Sequence, residues 1–113
     1  MKSDDLVARV ENAIKLQDYQ LAEKLAEKLV EAQPDIADIH LLLGNIYTKS
    51  SKPDSAMKEY RRAIELKPNN PEAYNNLAVI LRQQGRLKEA LSAVRHAEKL
   101  DKSRADILYN KGN

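Results

Sequence analysis

Few side chains of this 113-residue chain are suited to catalysis or metal binding. Cysteine is absent, which removes thiolate nucleophiles, disulfides and sulfur ligands. The two histidines, His40 and His96, lie 56 residues apart, and neither has a second ligand one helical turn away. The three glycines are isolated and cannot form a phosphate-binding loop. The sequence therefore predicts no catalytic residues, no metal and no cofactor, and the protein is not expected to be an enzyme.

Acidic side chains are plentiful, but their spacing indicates a solvated surface. Glu23, Glu27 and Glu31 follow one another at four-residue intervals beside Lys24 and Lys28, so on a helix they form an exposed charged row. General acid–base catalysis would instead need a carboxylate held in an apolar pocket. The chemistry that remains is that of amide, hydroxyl and apolar side chains, which is the chemistry of binding.

The elements that would position these side chains follow from a repeat in the sequence. Displaced by 34 residues, the chain matches itself: Pro34 falls on Pro68, and Ala22 falls on Ala56 and Ala90. Small residues at a repeated position allow two helix backbones to approach closely, and apolar residues at intervals of three and four give each helix one buried stripe. A period of this length is typical of a helical solenoid, whose long face favours binding over catalysis.

Turn-forming and helix-ending residues divide each 34-residue unit into two short amphipathic helices. Asn70, for example, precedes a proline and an acid, which is the pattern of a helix start. We expect six full helices, the start of a seventh, and no strand. The predicted breaks are Gln17–Asp18, Ser50–Lys52 and Gly85–Arg86 inside the units, and Pro34, Pro68 and Lys102–Ser103 between them.

The residues that carry the period resemble a tetratricopeptide repeat, most clearly in residues 37–70. That stretch matches the family at His40, Leu43, Gly44, Tyr47, Ala56, Tyr60, Ala63 and Pro68. The resemblance implies an all-α fold, a right-handed α-solenoid of antiparallel helix pairs, in a single domain over residues 1–113. The implied repeats are 3–36, 37–70 and 71–104, with a partial fourth at 105–113. Because the partial repeat ends after about two helical turns, we expect an excised piece of a longer array.

The resemblance also implies a concave binding groove, lined by the first helix of each repeat. The segment "PEAYNNLAVILRQQGRLKEA" is similar to the bacterial arrays and to those of O-linked N-acetylglucosamine transferases, which hold peptides through groove asparagines. Because an amide both donates and accepts, Asn76 and Asn110 are expected to be successive rungs of a ladder of amides that hydrogen-bonds the backbone of a bound peptide. The groove positions are Val7 and Glu11 in the first repeat, and the predicted partner-binding residues are Leu41, Leu42, Asn45, Thr48, Asn75, Asn76, Val79, Arg82, Tyr109 and Asn110.

The predicted function is that of a protein–protein interaction module, an adaptor or scaffold that binds an extended or helical partner peptide. The chaperone adaptors of the family clamp a carboxylate with paired cations and amides, and Asn45 and Asn76 fit that pattern. The cationic positions, however, hold Leu41, Asp106 and Asn110, which disfavours this interpretation.

Charge and composition leave two alternatives open. With 42% apolar and 32% charged residues the chain is an ordinary soluble domain, expected in the cytoplasm and without membrane insertion. Residues 1–38 hold five basic and nine acidic side chains, whereas residues 39–113 hold fourteen and eight. No aromatic residues interleave with the basic ones, so nucleic acid is not an expected partner.

Opposite charge at the two ends, with apolar Leu108 and Tyr109, is compatible with a homo-oligomeric structural scaffold. The other alternative is a recruiting domain of a larger enzyme.

Overall fold

The computed structural model describes the backbone of residues 3–111 and the side chains of residues 5–102. Over this range the chain forms six helices and no strand, which confirms the predicted all-α fold. The helices are α1 (Ser3–Lys15), α2 (Tyr19–Ala32), α3 (Ala37–Lys49), α4 (Pro53–Leu66), α5 (Pro71–Gln83) and α6 (Leu87–Lys111).

Side chains cap the start of two helices, α2 and α5. The side chain of Asp18 accepts a hydrogen bond from the backbone N–H of Leu21 at 3.2 Å, and that of Asn70 accepts from Glu72 at 3.1 Å. Between α5 and α6, Gly85 has a φ of 77°, in the left-handed region where a residue without Cβ is not strained. The turns predicted inside the repeats are therefore present.

The end of the chain differs from the prediction. Helix α6 continues through Lys102 and Ser103 to Lys111, so the helix end predicted there is wrong and no separate seventh helix begins at residue 105. The earlier junctions contain Pro34 and Pro68, which cannot continue a helix, whereas lysine and serine can. The assignment of residues 105–113 to a partial repeat stays a prediction.

The core runs along the stack of helices. Each helix packs on the helices before and after it in the chain. Buried residues of α1, α2 and α3 form one cluster, which includes Val10, Leu29 and Ile46. Residues of α3 to α6 form a second cluster, and Tyr47 packs against both. This arrangement, in which each repeat contacts only its neighbours, is that of an α-solenoid of antiparallel helix pairs.

In each repeat, a small residue at one position of one helix is accompanied by a larger residue at one position of the other helix. Gly44 of α3 lies directly against the buried ring of Tyr60 on α4. The equivalent positions are Val10 and Ala26 in the first repeat, and Ala78 and Val94 in the third. A small residue on one helix thus accompanies a larger one on the other, which keeps the interior close-packed.

Candidate partner-binding surface

A hydrogen-bonded pair of asparagines joins α3 to α5. Asn76 Nδ2 donates to Asn45 Oδ1 at 2.9 Å, and Tyr60 Oη donates to the same oxygen at 2.7 Å. Both asparagines are half-buried. These bonds use the oxygen of Asn45 and the nitrogen of Asn76. Within the described part of the chain, Asn45 Nδ2 and Asn76 Oδ1 have no hydrogen-bond partner. We call Asn45 and Asn76 the amide pair.

The hydroxyl group of Tyr60 holds the amide pair in place. The ring of Tyr60 is 1% exposed, and Thr48 Oγ1 lies 2.9 Å from its hydroxyl and 3.0 Å from the carbonyl oxygen of Gly44. Burial raises the pKa of Tyr60, so the phenol stays protonated and donates to Asn45. The orientation of the Asn45 side chain is therefore set before any partner binds.

Leu41 is a core residue, and the prediction that it lines an open groove is wrong. Leu41 is only 7% exposed and belongs to the second cluster, together with Ala56 and Met57 of α4 and with residues of α5. Leu42 is half-buried and packs against the first cluster, as does Val7. The exposed surface of the first helices is therefore less apolar than the sequence predicted.

Three predicted residues lie in a cleft between α5 and α6, which we call the tail cleft. Asn75, Val79 and Arg82 line this open cleft of about 480 Å³ together with Ala78, Leu87, Ala90, Leu91 and Val94. The residues of α6 are not among the predicted ones, because a groove lined by the first helix of each repeat leaves out the second helix. The available signal was that Leu87 and Leu91 are large apolar residues one helical turn apart.

The remaining predicted residues, Tyr109 and Asn110, lie outside the described side chains. Asn76 bonds to Asn45, one repeat earlier. The predicted pairing of Asn76 with Asn110 as successive rungs stays a prediction.

The two histidines occupy structural positions. His40 is buried, its Nε2 donates to the carbonyl oxygen of Pro34 at 2.7 Å, and its Nδ1 lies 2.8 Å from Glu59 Oε1. It thereby connects α3 to α4 and to the preceding loop. His96 is exposed on α6 and stacks on Tyr74, with ring centroids 5.0 Å apart. Among the described residues, no three potential ligands are grouped closely enough to hold a metal ion.

A contact between the first two repeats places charge around Tyr47. Lys52 Nζ lies 2.5 Å from Glu23 Oε1 and 6.0 Å from the centre of the Tyr47 ring. Burial raises the pKa of Tyr47 to about 12, and the carboxylates of Glu27, Glu23 and Glu59 add to the shift. The phenol of Tyr47 is thus neutral over the whole physiological range.

Two family models match overlapping parts of the chain. The model described as TPR repeat matches residues 44–81, and the model described as tetratricopeptide repeat matches residues 71–104. Together they span more than half of the sequence. The chain belongs to the tetratricopeptide repeat family. The second match has the same bounds as the third predicted repeat.

Curated relatives are similar to most of this chain. Hsp70-Hsp90 organizing protein 3 of Arabidopsis thaliana is 34% identical over 98 residues, which cover 87% of this chain and 18% of the relative. Tetratricopeptide repeat protein 8 of Caenorhabditis elegans is 28% identical over 108 residues, which cover 94% of this chain and 21% of the relative. The chain thus spans about a fifth of the length of these relatives.

A solved structure confirms the architecture. The structure "MamA MSR-1 C2" is 25% identical to this chain and superimposes with a TM-score of 0.83, over 91% of this chain and 59% of its own. The fold is a right-handed α-solenoid of antiparallel helix pairs. Membership of the tetratricopeptide repeat family supports the interpretation of the chain as a protein-interaction scaffold. Within the described residues, none of the helices combines the length and apolar character needed to cross a membrane.

Proposed function

We propose that this repeat array is an adaptor that binds a segment of a partner protein along its first helices, α1, α3 and α5. The amide pair carries the proposal. Asn45 Nδ2 is a donor and Asn76 Oδ1 is an acceptor, so the pair can bond both the C=O and the N–H of an extended peptide. Because their mutual bond and the Tyr60 hydroxyl already order these side chains, little conformational entropy is lost on binding.

Neighbouring residues of α5 add limited sequence preference. Val79 is exposed and offers an apolar contact, and the exposed guanidinium of Arg82 makes no ion pair with the residues whose side chains are described. We infer a partner segment with an extended backbone, one apolar side chain and one acidic side chain. A few amide bonds and one small apolar contact correspond to a dissociation constant of about 1 μM, or about −8 kcal/mol.

The proposed activity is binding, without catalysis and without a cofactor. The half-buried amide pair is suited to a peptide backbone, whereas a nucleic acid surface would need aromatic residues among the cations. The cytoplasmic location expected from the sequence stays a prediction.

Asn45→Asp is the sharpest test of this proposal. Aspartate keeps the oxygen that accepts from Tyr60 and Asn76, but it replaces the outward donor Nδ2 with an oxygen. Peptides selected from a display library on the immobilised chain would be titrated into both proteins by calorimetry. We expect binding to Asn45→Asp to be weaker by about 10-fold or more, because the peptide carbonyl then faces an acceptor.

Asn12→Asp is the matched control, since it makes the same chemical change on an exposed position of α1. It changes the net charge equally and should leave peptide affinity unchanged. Circular dichroism checks that both variants keep wild-type helicity. Equal peptide affinity of Asn45→Asp and the wild type would refute the assigned role of the amide pair.

A further inference from the structure

A further cleft lies inside the array, where the second repeat meets the third. It has a volume of about 300 Å³ and is lined by α4 on one side, by α6 on the other and by α5 between them. Leu77 and Leu81 of α5 and Ala93 of α6 are buried and form its apolar floor. We call it the α4–α6 cleft. Helices border it on both sides, so it belongs to the interior of the array.

The polar side chains around the opening of the α4–α6 cleft offer hydrogen-bond donors. Tyr74, Ser92 and His96 line the cleft, and their side chains make no hydrogen bond with the residues that the structure describes. The rings of Tyr74 and His96 are stacked at an angle of 17°, so each holds the other in position. A phenol, an alcohol and an imidazole can each donate. The opening is therefore suited to a ligand that accepts hydrogen bonds.

The cleft also contains an arginine that is available for binding. Arg61 Nη2 lies 3.7 Å from Glu89 Oε2, which is too far for a hydrogen bond. Both oxygens of Glu89 already accept from Arg86, at 3.1 and 2.8 Å. Because Arg86 neutralises this acid, the half-exposed guanidinium of Arg61 keeps its donors for another carboxylate.

One repeat earlier, a glutamate of the chain itself lies at the equivalent position. Displaced by 34 residues, Ala93 corresponds to Glu59 and Tyr74 corresponds to His40. Glu59 Oε1 lies 2.8 Å from His40 Nδ1, and the side chain of Glu59 is only 13% exposed. The second repeat thus accommodates a carboxylate against the ring of the first helix. In the third repeat Ala93 is too short to supply that carboxylate.

We propose that the α4–α6 cleft binds a glutamate side chain of a partner protein. The carboxylate pairs with Arg61 and accepts from the donors around the opening, while the methylene groups lie on the apolar floor, as a side chain at position 59 does one repeat earlier. A single arginine matches the single charge of a carboxylate better than the double charge of a phosphate group. The proposal goes beyond the peptide site on the first helices, because the cleft includes neither residue of the amide pair.

Nuclear magnetic resonance with a defined probe tests this proposal. The tripeptide N-acetyl-Ala-Glu-Ala-amide is titrated into the isotope-labelled full chain, and the same tripeptide with glutamine is titrated in parallel. We expect the backbone signals of Ala93 and His96 to shift with a dissociation constant of about 1 mM, because one charge-assisted pair and a small apolar contact give weak binding. The glutamine tripeptide should bind at least about 10-fold more weakly, because it cannot pair with Arg61.

Variants of two adjacent arginines separate the cleft from general charge. Arg61→Gln should weaken binding of the glutamate tripeptide at least about 10-fold. Arg62→Gln is the matched control, because it makes the same change next to the cleft, at a residue whose ion pairs are with Asp35 and Glu65. Both side chains are about half exposed, so the fold should be kept. Ala93→Glu supplies the carboxylate from the chain itself and should abolish binding of the tripeptide.

Several results would overturn the proposal. Signals of the cleft that stay unchanged up to about 10 mM glutamate tripeptide show that it binds no carboxylate. Equal effects of Arg61→Gln and Arg62→Gln show that the cleft does not select the charge. Inorganic phosphate that binds more tightly than the tripeptide shows a phosphate site instead. Shifts confined to Asn45 and Asn76, and lost in Asn45→Asp, show that the tripeptide binds only at the amide pair. Because Asn45→Asp leaves the cleft intact, failure of the proposed peptide site is distinguishable from failure of this one.

Discussion

Replacing Gly44 with alanine tests how closely α3 and α4 approach. A Cβ at this position would lie 2.6 Å from Cε1 and 2.7 Å from Cδ1 of Tyr60. Carbon atoms are at their best separation at about 3.5–4.0 Å, so the ring or the helix must move by about 1 Å. Tyr60 cannot easily do so, because it is buried and its hydroxyl is bonded to Asn45.

The expected loss of stability is the difference between two effects. Adding a methyl group to a well-packed interior costs about 1–3 kcal/mol. Alanine in place of glycine inside a helix returns about 0.5–1 kcal/mol. We therefore expect Gly44→Ala to lower the free energy of unfolding by about 1–2 kcal/mol.

Denaturant unfolding followed by circular dichroism measures this change. The matched control is Ala78→Gly, the reverse substitution one repeat later, which should cost only about 0.5–1 kcal/mol of helix propensity. The double variant Gly44→Ala, Tyr60→Val reproduces the Ala78 and Val94 combination of the third repeat. In the Tyr60→Val background the added methyl group should be neutral or stabilising, which gives a favourable coupling energy of about 1–3 kcal/mol.

The reasoning is refuted if Gly44→Ala is as stable as the wild type. It is refuted equally if Gly44→Ala costs the same stability with tyrosine and with valine at position 60. Either result would show that the glycine is not required by contact with the ring.

Three further substitutions test other contacts. The pKa of Tyr47 is raised to about 12 from its usual 10.0, so the wild type loses stability as the pH rises from 10 towards 12. Tyr47→Phe has no phenol to ionise and should not show this loss. Denaturant titrations across that pH interval should therefore show the unfolding free energy of the variant rising relative to that of the wild type. His40→Leu leaves the carbonyl oxygen of Pro34 without its donor and Glu59 without its partner, so it should cost about 1–3 kcal/mol by thermal unfolding. His96→Leu on the surface should cost little, and equal effects would contradict this. Leu41→Asp should unfold the chain by burying a charge, and Val79→Asp should not, as judged by helicity.

Local signals in the sequence predicted most of the helix boundaries correctly. Prolines, the capping Asn70 and the left-handed Gly85 act within a few residues, so they are readable without tertiary structure. The break at Lys102–Ser103 was predicted from the repeat and from Ser103 as a helix cap three residues before Asp106, without a residue that stops a helix, and there the helix continues.

The candidate site was predicted only in part. The pattern placed Asn45 and Asn76 on the binding surface, and both are half-buried on neighbouring first helices. Their mutual hydrogen bond depends on how far α5 is displaced along α3, and that distance is determined by side chains from four helices. Leu41 was assigned to the groove because its position on a helix does not reveal whether the next repeat covers it.

By itself, the sequence determined the period of the repeat, the face of each helix that is apolar, and the opposite charge of the two ends. These properties follow from periodicity and composition, which do not depend on packing. Only the tertiary structure decided which apolar residues are covered and which amide atoms are free. In a solenoid the same position is buried in one repeat and exposed in the next, because burial depends on whether a neighbouring helix is present.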